Sequence, residues 1–245
     1  MSVFSKTTKG LLVIPATVAC LFAGGPASAG TIFSDDFNNG ASPLWGNNIG
    51  SWHAVGGGGY QASTPSTFPN ANSALPFDLA DFSVSFDMLR LQDGGVWLRS
   101  APATNGIGRT GVLLVIGGQG GTGHTAYFHV VTGGSYGAIL DQSAPLFVPG
   151  KSDAHLRVAV AGDEYALYVD GSDKPATTLI TPAFTHGQFA LYDYWPQHSL
   201  PAPIFDNVSL RTAAVPEPAA AGIMAIGLLT LGLLVRRRKH QSEAV

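Results

Sequence analysis

Residues 82–88 read Phe-Ser-Val-Ser-Phe-Asp-Met, an unbroken alternation of apolar and polar side chains. Successive side chains of a β-strand point to opposite faces, so this segment predicts a strand that buries its four apolar residues. Similar short alternations recur along the chain between clusters of Gly, Pro, Asn and Asp, and no stretch keeps the period of a helix. The pattern predicts an all-β domain, built as a two-sheet antiparallel jelly-roll sandwich.

The other predicted strands are Thr31–Phe37, Ser51–Val55, Gly95–Ser100, Val112–Ile116, His124–Val131, Leu156–Val160, Tyr165–Val169, Gln188–Tyr194 and Ile204–Leu210. Alternation places Trp97 and Arg99 on one face of their strand, and Tyr127 and His129 on one face of theirs. Residues 61–76 are rich in Ser, Thr, Pro and Asn, which predicts a loop.

The N-terminal segment has the composition of a secretory leader. Two lysines precede an apolar stretch, and Ala27 and Ala29 supply the small residues that a signal peptidase requires. We therefore predict that residues 1–29 form a signal helix that is removed on export, and that the sandwich occupies residues 30–213. The single cysteine, Cys20, leaves with the leader. The mature domain would then depend on its core rather than on disulfides, and thiol catalysis is excluded.

The C-terminal segment joins three features in order: the tripeptide Pro216-Glu217-Pro218, the uncharged run 219–235, and the cations Arg236, Arg237, Arg238 and Lys239. Its seventeen uncharged residues span about 25 Å as a helix, just enough to cross a bilayer. The cations favour the cytoplasmic side, which leaves the preceding domain outside.

Residues 214–240 thereby resemble the PEP-CTERM sorting signal of Gram-negative bacteria that export polysaccharide. The resemblance implies transient anchoring in the inner membrane, processing by an exosortase, and delivery to the cell surface or extracellular matrix. The alternative is an ordinary C-terminal membrane anchor.

The charge of the central domain excludes one class of partner. Between residues 30 and 215, seven lysines and arginines are outnumbered by fourteen aspartates and glutamates, a net charge of −7. Nucleic acid and anionic surfaces are therefore not expected to bind this domain.

Several short motifs together resemble the concanavalin-A-like lectin and glucanase superfamily, which includes laminin-G-type domains. The motifs are Asp36-Phe37 with Trp45, the paired strands 82–88 and 96–99, the hairpin Leu156–Gly171, the segment 187–191, and Phe205-Asp206-Asn207-Val208. The resemblance implies a sandwich in which the closing strand lies beside the opening one.

The sequence gives little support for catalysis. Glucanases of this superfamily use two glutamates on one strand, whereas Glu164 is the only glutamate between residues 30 and 215. The Gly-x-Ser-x-Gly spacing occurs at residues 133–137, but no stretch after it keeps the period of the helix that a nucleophile elbow requires. Histidines are scattered, so neither a zinc site nor a catalytic triad is predicted.

Carbohydrate binding is the favoured function. Aromatic rings can stack on the C–H face of a sugar beside a few fixed polar groups. The candidate residues come from three strands, and would form one patch if those strands are neighbours: Trp97, Arg99, Tyr127, His129, Tyr192, Asp193, Tyr194 and Trp195. In the alternative, Trp97 and Tyr192 pack in a second layer or under a loop. Two alternatives stay open, namely a matrix protein without a ligand and a glycan-active enzyme using aspartate and histidine.

A calcium site is a further prediction. If the first and last strands pair, oxygen atoms of Asp35 or Asp36 would approach those of Asp206 or Asn207. Otherwise Asp206 and Asn207 would serve only to satisfy backbone groups at a strand edge.

Overall fold

The computed structural model describes residues 30–64, 71–103, 108–117, 124–194 and 202–212. The predicted signal peptide and sorting signal lie outside the described residues, and so does Trp195. Within the described ranges there is no helix long and apolar enough to cross a membrane.

The described residues form fifteen strands. Their bounds are β1 Thr31–Asp35, β2 Gly46–Ile49, β3 Ser51–Ala54, β4 Tyr60–Thr64, β5 Ala71–Ala74, β6 Phe82–Leu89, β7 Gly94–Pro102, β8 Arg109–Ile116, β9 Ala126–Thr132, β10 Ser135–Tyr136, β11 Ala154–Ala161, β12 Glu164–Val169, β13 Thr177–Ile180, β14 Gln188–Asp193 and β15 Ile204–Thr212.

The strands form two antiparallel sheets, as predicted. The first sheet has the order β13-β12-β11-β6-β15-β4-β3, with β1 also paired to β15. The second sheet has the order β10-β9-β8-β7-β14-β5-β2. The opening and closing strands β1 and β15 are therefore neighbours, which confirms the arrangement that the sequence resemblance implied.

The inner faces of the two sheets meet in one large apolar core. In β6, Phe82, Val84, Phe86 and Met88 are all buried there, which confirms the alternation of the sequence. Strand β8 lies between β7 and β9, and its apolar residues are buried on both faces, as is usual for a central strand covered on both sides.

The prediction of a loop over residues 61–76 is wrong, because the described part of that segment holds most of β4 and all of β5. Strand β5 pairs with β14 on one side and β2 on the other, and all four of its residues are buried. Ala71, Asn72, Ser73 and Ala74 are small and carry no strong β-preference. Tertiary pairing therefore determines this strand, and local propensity does not.

Candidate functional site

The outer face of the second sheet, which points away from the first sheet, carries a second apolar cluster. Strands β7, β8, β9 and β14 each send one set of side chains to the inner core and the alternate set to this face. The outer set consists of Ala74, Trp97, Leu113, Val115, Tyr127, Val131, Ala190 and Tyr192, with Ile139 packed against it. A two-sheet sandwich needs no such cluster for its core, so this face is the candidate site.

Five rings on this face form a chain of contacts, and we call them the outer aromatic cluster: Trp97, Tyr127, His129, Tyr136 and Tyr192. The rings of Trp97 and Tyr192 meet edge to face, with centroids 6.0 Å apart, and Trp97 lies 6.4 Å from Tyr136. His129 meets Tyr136 at 5.7 Å and Tyr127 at 5.4 Å, both nearly perpendicular. The three strands that carry the predicted sugar-binding rings therefore do share one face.

Access to these rings agrees with the alternative in which Trp97 and Tyr192 are buried. Trp97, Tyr127 and Tyr192 are only 2–3% exposed, whereas Tyr136 is 40% exposed and His129 is half-buried. Burial also raises the pKa of Tyr192 well above its usual value. The three predicted rings thus form a supporting layer, and Tyr136 is the ring that a ligand can reach.

Sequence reasoning missed Tyr136 because β10 has only two residues. Gly133 and Gly134 both have positive φ, 59° and 78°, and turn the chain so that Ser135–Tyr136 pairs back onto β9. A Gly-Gly pair directly after a confident strand is a hairpin signal, and it could have placed Tyr136 beside His129.

His129 has a defined hydrogen-bonding role. Its Nδ1 lies 2.9 Å from the carbonyl oxygen of Gly137 and 3.1 Å from that of Ala138. Because both partners can only accept, Nδ1 carries the proton in the neutral ring, and Nε2 is an acceptor. His129 can therefore accept a hydrogen bond from a ligand hydroxyl.

The indole of Trp97 adds a buried donor to the cluster. Its Nε1 has no hydrogen-bond partner among the described residues. Buried donors without partners are uncommon in native proteins, and they occur at sites that hold a ligand or water.

The prediction that Arg99 shares this face with Trp97 is wrong. The register of β7 shifts between Leu98 and Ala101, and Arg99 has a positive φ of 45°. A register shift of this kind is a β-bulge, which changes the direction in which the side chain points. The guanidinium donates to the carbonyl oxygens of Ala80, Gly162 and Phe184, and to the carboxylate of Asp81, so it links elements of both sheets.

The candidate residues at the end of β14 and just after it also differ from the prediction. Asp193 follows the alternation of Phe189 and Leu191, which face the inner core, and so it points away from the outer aromatic cluster. This corrects the predicted grouping of Asp193 with Tyr192. Burial and the charge of Asp93 raise the pKa of Asp193 to about 7. Tyr194 is exposed, and the structure does not describe Trp195.

A buried arginine was also missed by sequence reasoning. Arg109 is 1% exposed, and it donates to Ser100 Oγ at 3.0 Å, Asn72 Oδ1 at 3.3 Å and Gln188 Oε1 at 2.6 Å. Burial lowers its pKa to about 10. These polar groups tie together β5, β7, β8 and β14, the strands that support the outer aromatic cluster.

The predicted calcium ligands come close together only in part. Asp35 accepts hydrogen bonds from the backbone N–H groups of Phe37 and Ser42 and from the indole of Trp45, so it orders the loop after β1. Asn207 donates its amide to Asp87. These two side chains are therefore engaged elsewhere.

The other two predicted ligands do approach each other, at Gly58. A Cβ placed on Gly58 would lie 3.0 Å from Asn38 Oδ1, 3.5 Å from Asp206 Oδ2 and 3.7 Å from the carbonyl oxygen of Asp36. Carboxylate, amide and carbonyl oxygens are the ligand types that calcium prefers, and these three fit it in kind. Across the described ranges, no group of three or more His, Cys, Asp or Glu side chains could hold a metal.

One exposed histidine pair lies on the first sheet. His155 Nδ1 is 2.6 Å from Asp87 Oδ1, and the second oxygen of Asp87 accepts from Asn207 at 2.7 Å. The two residues are in contact because the pairing of β11 with β6 places His155 directly opposite Asp87. The single glutamate of the domain, Glu164, is exposed at the start of β12.

Comparisons with known proteins identify the fold. A scan of protein-family models and a search of curated proteins both find no match. Among solved structures, the chain is similar to the carbohydrate-binding module CBM66 from Bacillus subtilis, with a TM-score of 0.53, 16% identity, and coverage of 69% of this chain and 96% of that one.

Two further structures agree with that fold. A Bacillus subtilis protein of unknown function with a galectin-like fold gives a TM-score of 0.55 at 8% identity, covering 77% of this chain and 97% of that one. The Bacillus licheniformis β-glucanase gives 0.52 at 16% identity, covering 75% and 98%. The described domain is thus a β-sandwich of the galectin and concanavalin type.

Proposed function

We propose that this chain is an exported surface or matrix protein whose sandwich binds carbohydrate on the outer face of the second sheet. The observation that carries the proposal is the outer aromatic cluster, which exposes Tyr136 above buried rings. The similarity to a structure whose title names a carbohydrate-binding module adds support, although many functions share this fold.

The geometry suggests how a sugar would bind. The face of Tyr136 offers an apolar platform for the C–H groups of a pyranose, and His129 Nε2 accepts from a hydroxyl beside it. Trp97 supports Tyr136 from below, and its unpaired indole N–H can donate to a sugar oxygen if the ligand shifts the rings above it.

The binding test measures affinity of the purified full-length chain for a panel of soluble bacterial polysaccharides by isothermal titration calorimetry. We expect Tyr136→Ala to weaken binding roughly tenfold or more, since one stacking platform is lost. The matched control is Tyr168→Ala on the outer face of the first sheet, which should leave affinity unchanged. If no polysaccharide binds to the wild type, the domain is a matrix protein without a ligand.

Export rests on the two ends of the chain. Removal of the leader after Ala29 and exosortase processing near Pro216-Glu217-Pro218 would release a product that spans the sandwich alone. Intact-mass analysis of the protein recovered from a PEP-CTERM host tests this proposal. A product that still contains residues 219–239 would instead indicate a retained membrane anchor.

A glycan-active enzyme is the weaker alternative. Among the described candidate residues on the outer face of the second sheet, no carboxylate is available to form an acid–base pair with His129, since Asp193 points inward. Release of reducing ends from the polysaccharide panel by the wild type would reverse this choice.

A further inference from the structure

The imidazole of His129 is held in one tautomer beside the accessible ring of the outer aromatic cluster. Its Nδ1 lies within hydrogen-bond distance of the carbonyl oxygens of Gly137 and Ala138, and carbonyl oxygens can only accept. Nδ1 therefore keeps the proton of the neutral ring, and Nε2 carries a lone pair.

The Nε2 atom of His129 is open to solvent. It forms no hydrogen bond with any described residue, and the buried polar atoms that lack a partner do not include it. The rings of Tyr127 and Tyr136 meet the imidazole edge to face, at centroid distances of 5.4 and 5.7 Å, and so restrict its rotation. A ligand that lies on Tyr136 therefore finds a fixed acceptor beside the ring.

No accessible lysine or arginine accompanies this acceptor on the strands of the second sheet. All seven lysines and arginines of residues 30–215 belong to the described ranges, and two of them lie on these strands. Arg99 in β7 is 3% exposed and Arg109 in β8 is 1% exposed, and both guanidinium groups donate to oxygens of the protein. The other five lie on the first sheet or in turns and loops: Arg90, Lys151, Arg157, Lys174 and Arg211.

An open acceptor without an accessible cation distinguishes between two classes of glycan. A sugar hydroxyl can donate to Nε2, so a neutral sugar satisfies the histidine. A carboxylate has only acceptor oxygens, so it would face the lone pair and give up its hydration without a cation in return. The net charge of −7 on residues 30–215 adds a repulsion at longer range.

We propose that the outer aromatic cluster binds neutral polysaccharide and discriminates against polysaccharide that is rich in uronic acids. His129 determines this specificity, because its Nε2 accepts a hydrogen bond from a sugar hydroxyl. The inference rests on the proposed function and adds the class of ligand to it.

The test pairs each neutral polysaccharide of the panel with a derivative of the same backbone, in which part of the C6 hydroxymethyl groups has been oxidised to carboxylates. Isothermal titration calorimetry of the full-length chain should show that the oxidised form binds at least about tenfold more weakly. The measurement is repeated at about 0.5 M salt, where the screening length falls to about 4 Å and most of the long-range repulsion is removed. We expect the preference for the neutral form to remain.

His129→Asn separates the acceptor from the structural role of the ring. The amide N–H of asparagine can replace Nδ1–H toward Gly137 and Ala138, but the side chain does not reach the position of Nε2. We expect this variant to keep the thermal midpoint within about 2 °C of the wild type, and to bind the neutral polysaccharide roughly tenfold more weakly. The matched control is His155→Asn, at an exposed histidine of the first sheet, which should keep the wild-type affinity.

The comparison of the two polysaccharide forms uses the wild type alone, so it does not depend on how well His129→Asn folds. Equal or tighter binding of the oxidised form would overturn this inference and leave the proposed function standing. A preference that disappears at about 0.5 M salt would also overturn it, because the overall charge of the domain would then be the cause. If the wild type binds neither form, the proposed function is wrong and this inference with it.

Discussion

The two outer faces of the sandwich are built differently, although both belong to antiparallel sheets of similar size. On the first sheet, β6 and β11 alternate strictly between buried inner residues and accessible outer ones such as Ser85, Asp87 and His155. On the second sheet, the first seven residues of β7 and seven of the eight in β8 are buried, whichever way they point. An antiparallel sheet can leave one face to water. Burial of the outer face of the second sheet is therefore not needed for folding, and it indicates a function for that face.

The largest test of this difference is removal of the central ring on each face. We expect Trp97→Ala to lower the free energy of unfolding by about 3–5 kcal/mol, because it leaves a large cavity in a buried cluster. Tyr168→Ala should cost only about 1 kcal/mol, since it removes a half-buried ring whose main described contact is the guanidinium of Arg157, 3.7 Å from its centroid.

Urea denaturation of both variants measures the two losses. Equal losses would mean that the outer face of the second sheet is no more a packed cluster than that of the first. The proposed difference in packing between the outer faces of the two sheets would then be wrong.

A second test compares the carboxylates of the two sheets. The pKa of Asp193 is raised from 3.8 to about 7 in the folded domain, so folding favours the protonated carboxyl. Its contribution to stability is fully present below about pH 4 and is lost as pH rises through 7. The loss amounts to at most about 4 kcal/mol, given about 1.36 kcal/mol per unit.

The measurement is urea denaturation from pH 4 to 8 for the wild type and Asp193→Asn. We expect the difference between the two to change with pH across this window. Asp87→Asn, which alters an accessible carboxylate on the first sheet, is measured in the same way to compare the two sheets. A flat difference for Asp193→Asn would mean that water reaches the carboxylate.

The smallest expected effect concerns the accessible pair of the first sheet. His155 and Asp87 are in contact at 2.6 Å, but the histidine side chain is 51% exposed. Exposed ion pairs contribute little, so His155→Ala should change stability by less than about 1 kcal/mol. A larger loss in thermal unfolding would indicate that the outer face of the first sheet is also organised around specific contacts.

Much of the architecture could be predicted because alternation in β6 and β11 is strict and local. The errors share one cause, which is that they depend on long-range contacts. Strand β5 exists because β14 and β2 lie on either side of it. Arg99 leaves its expected face because a bulge turns it, and Tyr136 enters the site through a two-residue strand. The burial of Trp97 likewise depends on residues that are distant in sequence.

The position of Arg99 also bears on the rate at which the domain opens. This side chain bonds to Phe184, which is 85 positions away, and to Gly162, which is 63 away. These hydrogen bonds can form only after both sheets have packed together, so they should be absent from the transition state of folding. Contacts formed that late mainly slow unfolding. Arg99→Met should therefore shorten the lifetime of the native state and leave the refolding rate nearly unchanged, as stopped-flow kinetics would show.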